Sequence, residues 1–164
     1  MKFLAIIAMM MSLFGSDGLL GGKPAGAFKY YEYRSTTMRE YPREYYKLES
    51  SDKDGVTLSW AKSNSNITVL HVPEESVQKL DSLIDGYKLY NLKKEYHPPF
   101  MVHDGIMWHV YIQYEKGGVR CTADNAWPPE KLKEGIKAVN AYFNTLIEAS
   151  KEEDIIEVKS NRDY

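Results

Sequence analysis

Ile106-Met107-Trp108-His109-Val110-Tyr111-Ile112-Gln113-Tyr114 is the segment on which the fold turns. Ile106, Trp108, Val110, Ile112 and Tyr114 share one face, while Met107, His109, Tyr111 and Gln113 share the other. That is the period-two alternation of a strand lying with one side on a core. Glu115-Lys116-Gly117-Gly118 follows and supplies turn chemistry, so residues 119–123 read as the returning arm of a hairpin. Beyond it, Asp124-Asn125-Ala126-Trp127-Pro128-Pro129-Glu130 sets an indole before two prolines. Proline suits the first turn of a helix. Leu132, Ile136, Val139, Phe143, Leu146 and Ile147 then recur at steps of four and three, a helical stripe. Trp127 and Pro128 are therefore expected to pack where this helix meets the strand bearing Trp108, in the manner of a hydrophobic staple.

Working back from that segment, four further strands are expected at residues 28–34, 44–50, 56–61 and 67–72. The clusters Ser51-Asp52-Lys53-Asp54-Gly55 and Ser63-Asn64-Ser65-Asn66 are turns between them. Pro73 opens a helix, with Glu74 and Glu75 complementing the positive end of its dipole. Val77, Leu80, Leu83 and Ile84 form its apolar face, and Gly86 is a natural stop. Residues 87–100 are less legible and read as a short strand or an irregular arm ending at Pro98-Pro99. The pattern predicts an α+β fold: an antiparallel β-sheet, meander plus hairpin, with two amphipathic helices packed on one face.

The 164 residues suit a single domain. Met1-Lys2-Phe3-Leu4-Ala5-Ile6-Ile7-Ala8-Met9-Met10-Met11 joins one cation to an apolar run too short for a membrane span, which reads as a secretory leader. Ala25 and Ala27 fit an A-x-A cleavage site, giving a signal peptide at 1–27, a domain at 28–150 and a charged flexible tail at 151–164. The expected location is secreted or periplasmic, with no membrane span once the leader is removed. Cys121 is the single cysteine, so no internal disulfide forms, and within a strand it reads as a buried thiol. Removing Lys2, Lys23 and Asp17 with the leader takes 21 basic and 23 acidic residues to 19 and 22, a balance that argues against nucleic acid as a partner. No phosphate-binding glycine motif precedes a helix, and no cofactor is implied.

Pro98-Pro99-Phe100, Asp104-Gly105, Trp108 and Asn125-Ala126-Trp127-Pro128, ahead of an amphipathic helix, resemble a group of small uncharacterised secreted bacterial domains. The resemblance spans about residues 87–147. It implies the α+β fold and an envelope or extracellular location, and it carries no catalytic residue with it.

Tyrosine is the informative excess, with 13 in the chain and Tyr30, Tyr31, Tyr33, Tyr41, Tyr45 and Tyr46 crowded together. Rings that alternate to both faces of a strand cannot all enter one core. Exposed tyrosines suit stacking on a sugar or a partner's apolar patch. Tyr31, Tyr33 and Tyr46 are the candidate contacts of a non-enzymatic binding domain for a protein or glycan of the cell envelope or its surroundings. The alternative is an extracytoplasmic hydrolase built on His103, Asp104 and His109, with or without a metal ion.

Overall fold

The computed structural model describes residues 22–102 and 104–161. Its elements are β1 (Ala25–Thr36), β2 (Glu44–Ser51), β3 (Gly55–Lys62), β4 (Ile67–His71), α1 (Glu75–Tyr87), β5 (Glu95–Tyr96), β6 (Met107–Asp124), α2 (Glu130–Ala149) and β7 (Ile155–Lys159). The strands form one seven-stranded open sheet in the order β5-β6-β1-β2-β3-β4-β7. Every neighbouring pair is antiparallel except β5 and β6, which run parallel through Glu95↔Thr122 and Tyr96↔Ala123. The sheet is therefore mixed, where the sequence pattern predicts a purely antiparallel one. After α1 the chain crosses back through a 3-10 turn at Leu89–Asn91, which lays the next residues along β6 in the same direction.

Register decides which side chains make the core. One row across the sheet reads Ile112, Tyr31, Leu48, Leu58, Leu70, and the next reads Val110, Tyr33, Tyr46, Trp60, Thr68. Nearly all of these are buried and share one cluster with Leu80 and Ile84 of α1 and with Ile136, Val139 and Phe143 of α2. Both helices thus close over the same face of the sheet. Burying each such aliphatic side chain contributes roughly 1.5–3 kcal/mol of transfer free energy. α1 and α2 approach closely at Gly135, where a Cβ would lie 2.6 Å from that of Tyr87. α1 ends at Tyr87, one residue past the expected stop, and Lys88 takes the left-handed conformation of a helix terminus.

Two boundaries differ from the sequence reading. β1 starts at Ala25, so the sheet reaches into the expected leader: Ala25 pairs with Lys116, and Lys23 forms an ion pair with Asp81 at 2.7 Å. At the other end, residues 151–164 were expected to be a flexible tail, whereas β7 pairs antiparallel with β4 through Ile67↔Lys159, Thr68↔Val158 and Val69↔Glu157. The charge run at 151–154 hides a β-branched segment, Ile155-Ile156-Glu157-Val158, that satisfies the otherwise open edge of β4. Residues 1–21, which hold most of the expected leader, lie outside the described residues, as do 162–164.

Candidate functional site

The strand positions that turn away from the helices form a second face, on which neither helix lies. Its rows follow from the same register: His109, Arg34, Tyr45, Ala61 in one, and Tyr111, Glu32, Lys47, Ser59, Val69 in the next. Only a small apolar cluster, Tyr45, Ala61, Ile67 and Val69, lies on this side, and neither helix contributes to it. The rest of the face interleaves rings with charges. The Arg34 guanidinium lies 5.0 Å from the ring centre of Tyr45 and 5.8 Å from that of Tyr41. Lys47 sits 5.2 Å over Tyr30, and Arg120 lies 5.0 Å over Tyr111. Such cation–ring contacts hold long cationic side chains flat against a sheet without using up their hydrogen-bond donors.

A cleft of about 360 Å³ opens at the β6 side of this face, between β1, β6 and the segment carrying Tyr41. Arg34, Thr36, Tyr41, His109, Thr122 and Asp124 are among its lining residues. Its volume sits near the small end of the roughly 300–1,000 Å³ typical of small-molecule sites. A broader depression of about 530 Å³ lies toward the other end of the same face, where Lys47, Glu49, Thr57, His71 and Glu157 meet.

The charges around the smaller cleft are mostly paired. His109 Nε2 lies 3.2 Å from Glu32 Oε1, and the imidazole stacks on Tyr111 with ring centres 4.7 Å apart. Burial works to raise the Glu32 carboxyl, but the hydrogen bond and charge of His109, with Arg34 and Lys47, outweigh it and hold the group below its ordinary value. The Asn125 amide donates to Asp124 Oδ1 at 2.6 Å, and His97 lies 3.4 Å from Glu95. Arg34 is the exception. Among the described residues its Nη1 reaches only the Tyr41 hydroxyl, at 3.4 Å, and its buried Nε has no partner. No carboxylate among them lies within ion-pair distance of it.

The tyrosines singled out from the sequence are elsewhere. Tyr31, Tyr33 and Tyr46 are 0%, 3% and 0% exposed, on the helix-covered face. Tyr31 meets Phe143 of α2 edge-on at 5.6 Å, Tyr33 stacks on Tyr46 at 6.4 Å, and the Tyr46 hydroxyl donates to Asn144 at 3.1 Å. They are core residues, and the expectation that they contact a ligand is corrected: from Tyr31 onward the odd positions of β1, and the even positions of β2, point toward the helices. Tyr30, Tyr41 and Tyr111 are the rings left accessible on or beside the open face.

Trp108 is buried and donates its Nε1–H to the Ala126 carbonyl at 2.9 Å. Trp127 stacks on it at 5.1 Å with an 18° tilt, as a fastening at the entry to α2 should, but it remains 42% exposed on its other side. Pro128, next to it, is buried. His103 lies outside the described residues. Asp104 borders a separate depression with Arg39 and Arg43, away from the lining that includes His109. Among the described residues no group of three or more histidine, cysteine, aspartate or glutamate side chains is placed to hold a metal ion. Cys121 is fully buried, and that burial pushes its thiol up to about 12, so it is not a nucleophile at neutral pH.

Comparison of the chain with protein-family models and with curated proteins finds no match to either. Among the described residues no helix is long and apolar enough to cross a membrane.

Proposed function

We propose that this chain is an exported, non-enzymatic binding domain whose ligand, a protein or glycan of the cell envelope or its surroundings, sits on the helix-free face of the sheet. One observation carries the reading: no helix covers this face, and rings and cations stand partly exposed beside a cleft on it, while the helices fill the opposite side. Aromatic platforms with hydrogen-bonding groups at their edges suit sugar rings and peptide surfaces alike. The tyrosine-rich surface of the proposal is thus that of Tyr30, Tyr41 and Tyr111. The fold beneath it reads as a meander through β1–β4 with β6 as a hairpin. The bond from Asn125 N to Ile106 O at 3.0 Å favours this, since it joins the two ends of an 18-residue element.

The test is amide-resolved NMR of the domain from Lys23 onward, titrated with glycan fragments and envelope extracts. Saturable shifts clustered on β1, β6 and β2 of the open face support the reading. Shifts confined to the helix side, or turnover of a substrate without saturable binding at this face, overturn it. The second reading, an extracytoplasmic hydrolase, is favoured by the His109–Glu32 pair beside the cleft, which has the geometry of an oriented general base. Loss of turnover in His109→Gln would support that reading instead.

A further inference from the structure

We infer that the cleft recognises an acidic sugar, with Arg34 binding the carboxylate and the opposite wall accepting the sugar hydroxyls. This deepens the binding reading and rests on it.

Asp124 in the cleft and Glu32, which pairs with the lining residue His109, each have a hydrogen-bonding partner within 3.2 Å, whereas the Arg34 guanidinium has only a phenol, at 3.4 Å, among the described residues. A guanidinium carries five donors in a rigid fork that matches a carboxylate through two parallel bonds. Leaving such donors half-shielded and unmatched costs stability, so a protein that keeps them that way gains the cost back only when an anion arrives. The Tyr41 and Tyr45 rings lie 5.8 and 5.0 Å from the guanidinium carbon and limit where it can go before any ligand binds.

The rest of the lining narrows the anion. Asp124 lies in the same cleft, and Glu32 stands beside it with its carboxyl held ionised. A phosphate or polyanion would meet those negative charges at close range. A ligand with a single carboxylate brings one negative charge to Arg34 and offers hydroxyls to the rest of the lining, where Asp124 accepts and Thr36 and Thr122 both donate and accept. About 360 Å³ suits a single pyranose ring, and the half-exposed ring of Tyr41 offers it a flat apolar wall. A uronate has this combination of groups.

Isothermal titration of the protein with monomeric galacturonate and glucuronate tests the inference, with their methyl esters, neutral hexoses and acetate as comparisons. Both uronates should bind saturably, and esterification should weaken binding at least tenfold on the unaltered protein. Arg34→Gln should do the same, Arg34→Lys should restore little because an ammonium lacks the fork, and Asp124→Asn should weaken uronate relative to acetate. Circular dichroism of each variant checks that the fold persists. Equal binding of esters and free acids at this face overturns the carboxylate role and leaves the binding reading intact. Uronate shifts that map away from Arg34 overturn the site. Absence of uronate binding, while another glycan or a peptide saturates the open face, overturns the ligand class alone.

Discussion

Tyr31→Phe is a substitution whose sign follows from the placement of one hydroxyl. The ring is fully buried and packs edge-on against Phe143, yet its oxygen has no hydrogen-bond partner among the described residues. A buried polar group left unmatched costs roughly 1–3 kcal/mol. Removing the oxygen keeps the ring and its contacts and leaves a void smaller than a methyl group, so the variant should gain about 1 kcal/mol. For a domain of this size that raises Tm by about 3–4 °C. Tyr46→Phe is the control. It is equally buried but donates to Asn144 at 3.1 Å, so its loss should cost about 1 kcal/mol. Urea unfolding of the three proteins with a common m-value reads both effects. If Tyr31→Phe lowers the midpoint as Tyr46→Phe does, a partner for that hydroxyl exists and the reasoning fails.

Alkaline pH should unfold the protein cooperatively, because burial pushes the Tyr33 and Tyr46 hydroxyls up to about 12. Their contribution is complete below the unfolded value near 10 and is lost as pH rises toward 12, on the order of 2–3 kcal/mol each. Absorbance at 295 nm and circular dichroism should therefore change together, and full tyrosinate formation with native dichroism would contradict this. At the acid end, the lowered Glu32 carboxyl contributes stability above the ordinary carboxylate range that is lost as pH falls through its depressed value. Glu32→Gln should flatten the pH dependence of unfolding free energy there, and an unchanged slope would count against the His109 pairing. Gly135→Ala should destabilise by about 1–2 kcal/mol in thermal melts, since its Cβ would meet Tyr87 at 2.6 Å and the repacking outweighs the gain in helix propensity. A neutral or stabilising result would show that α1 and α2 are not in close contact.

The strands and helices were largely legible because alternation and the 3.6-residue stripe are local signals. Which face of a strand becomes the core is not local. Tyr30-Tyr31 and Tyr45-Tyr46 put a ring on each side, so the aromatic count alone leaves the choice open. A usable signal lay in parity: Glu32, Arg34 and Thr36 occupy the even positions of β1, which leaves the odd tyrosines to face the helices. The same parity places Arg34 beside His109 and so outlines the cleft. β7 was hidden by its neighbours in sequence, because a charge run reads as solvated whether or not a strand follows it. The parallel β5 is two residues long and carries no periodicity to read.

The pairing of β7 with β4 also orders events in time. β4 is made before both helices, but its outer partner is the last of the described strands to be synthesised, so residues 67–71 leave the ribosome with an open, apolar edge. β1 waits in the same way for β6. Closure is therefore a late, long-range event, and a growing chain that lingers before it presents two sticky borders to its neighbours. Slower translation or chaperone shortage should lower the yield of folded product more than an altered surface residue does.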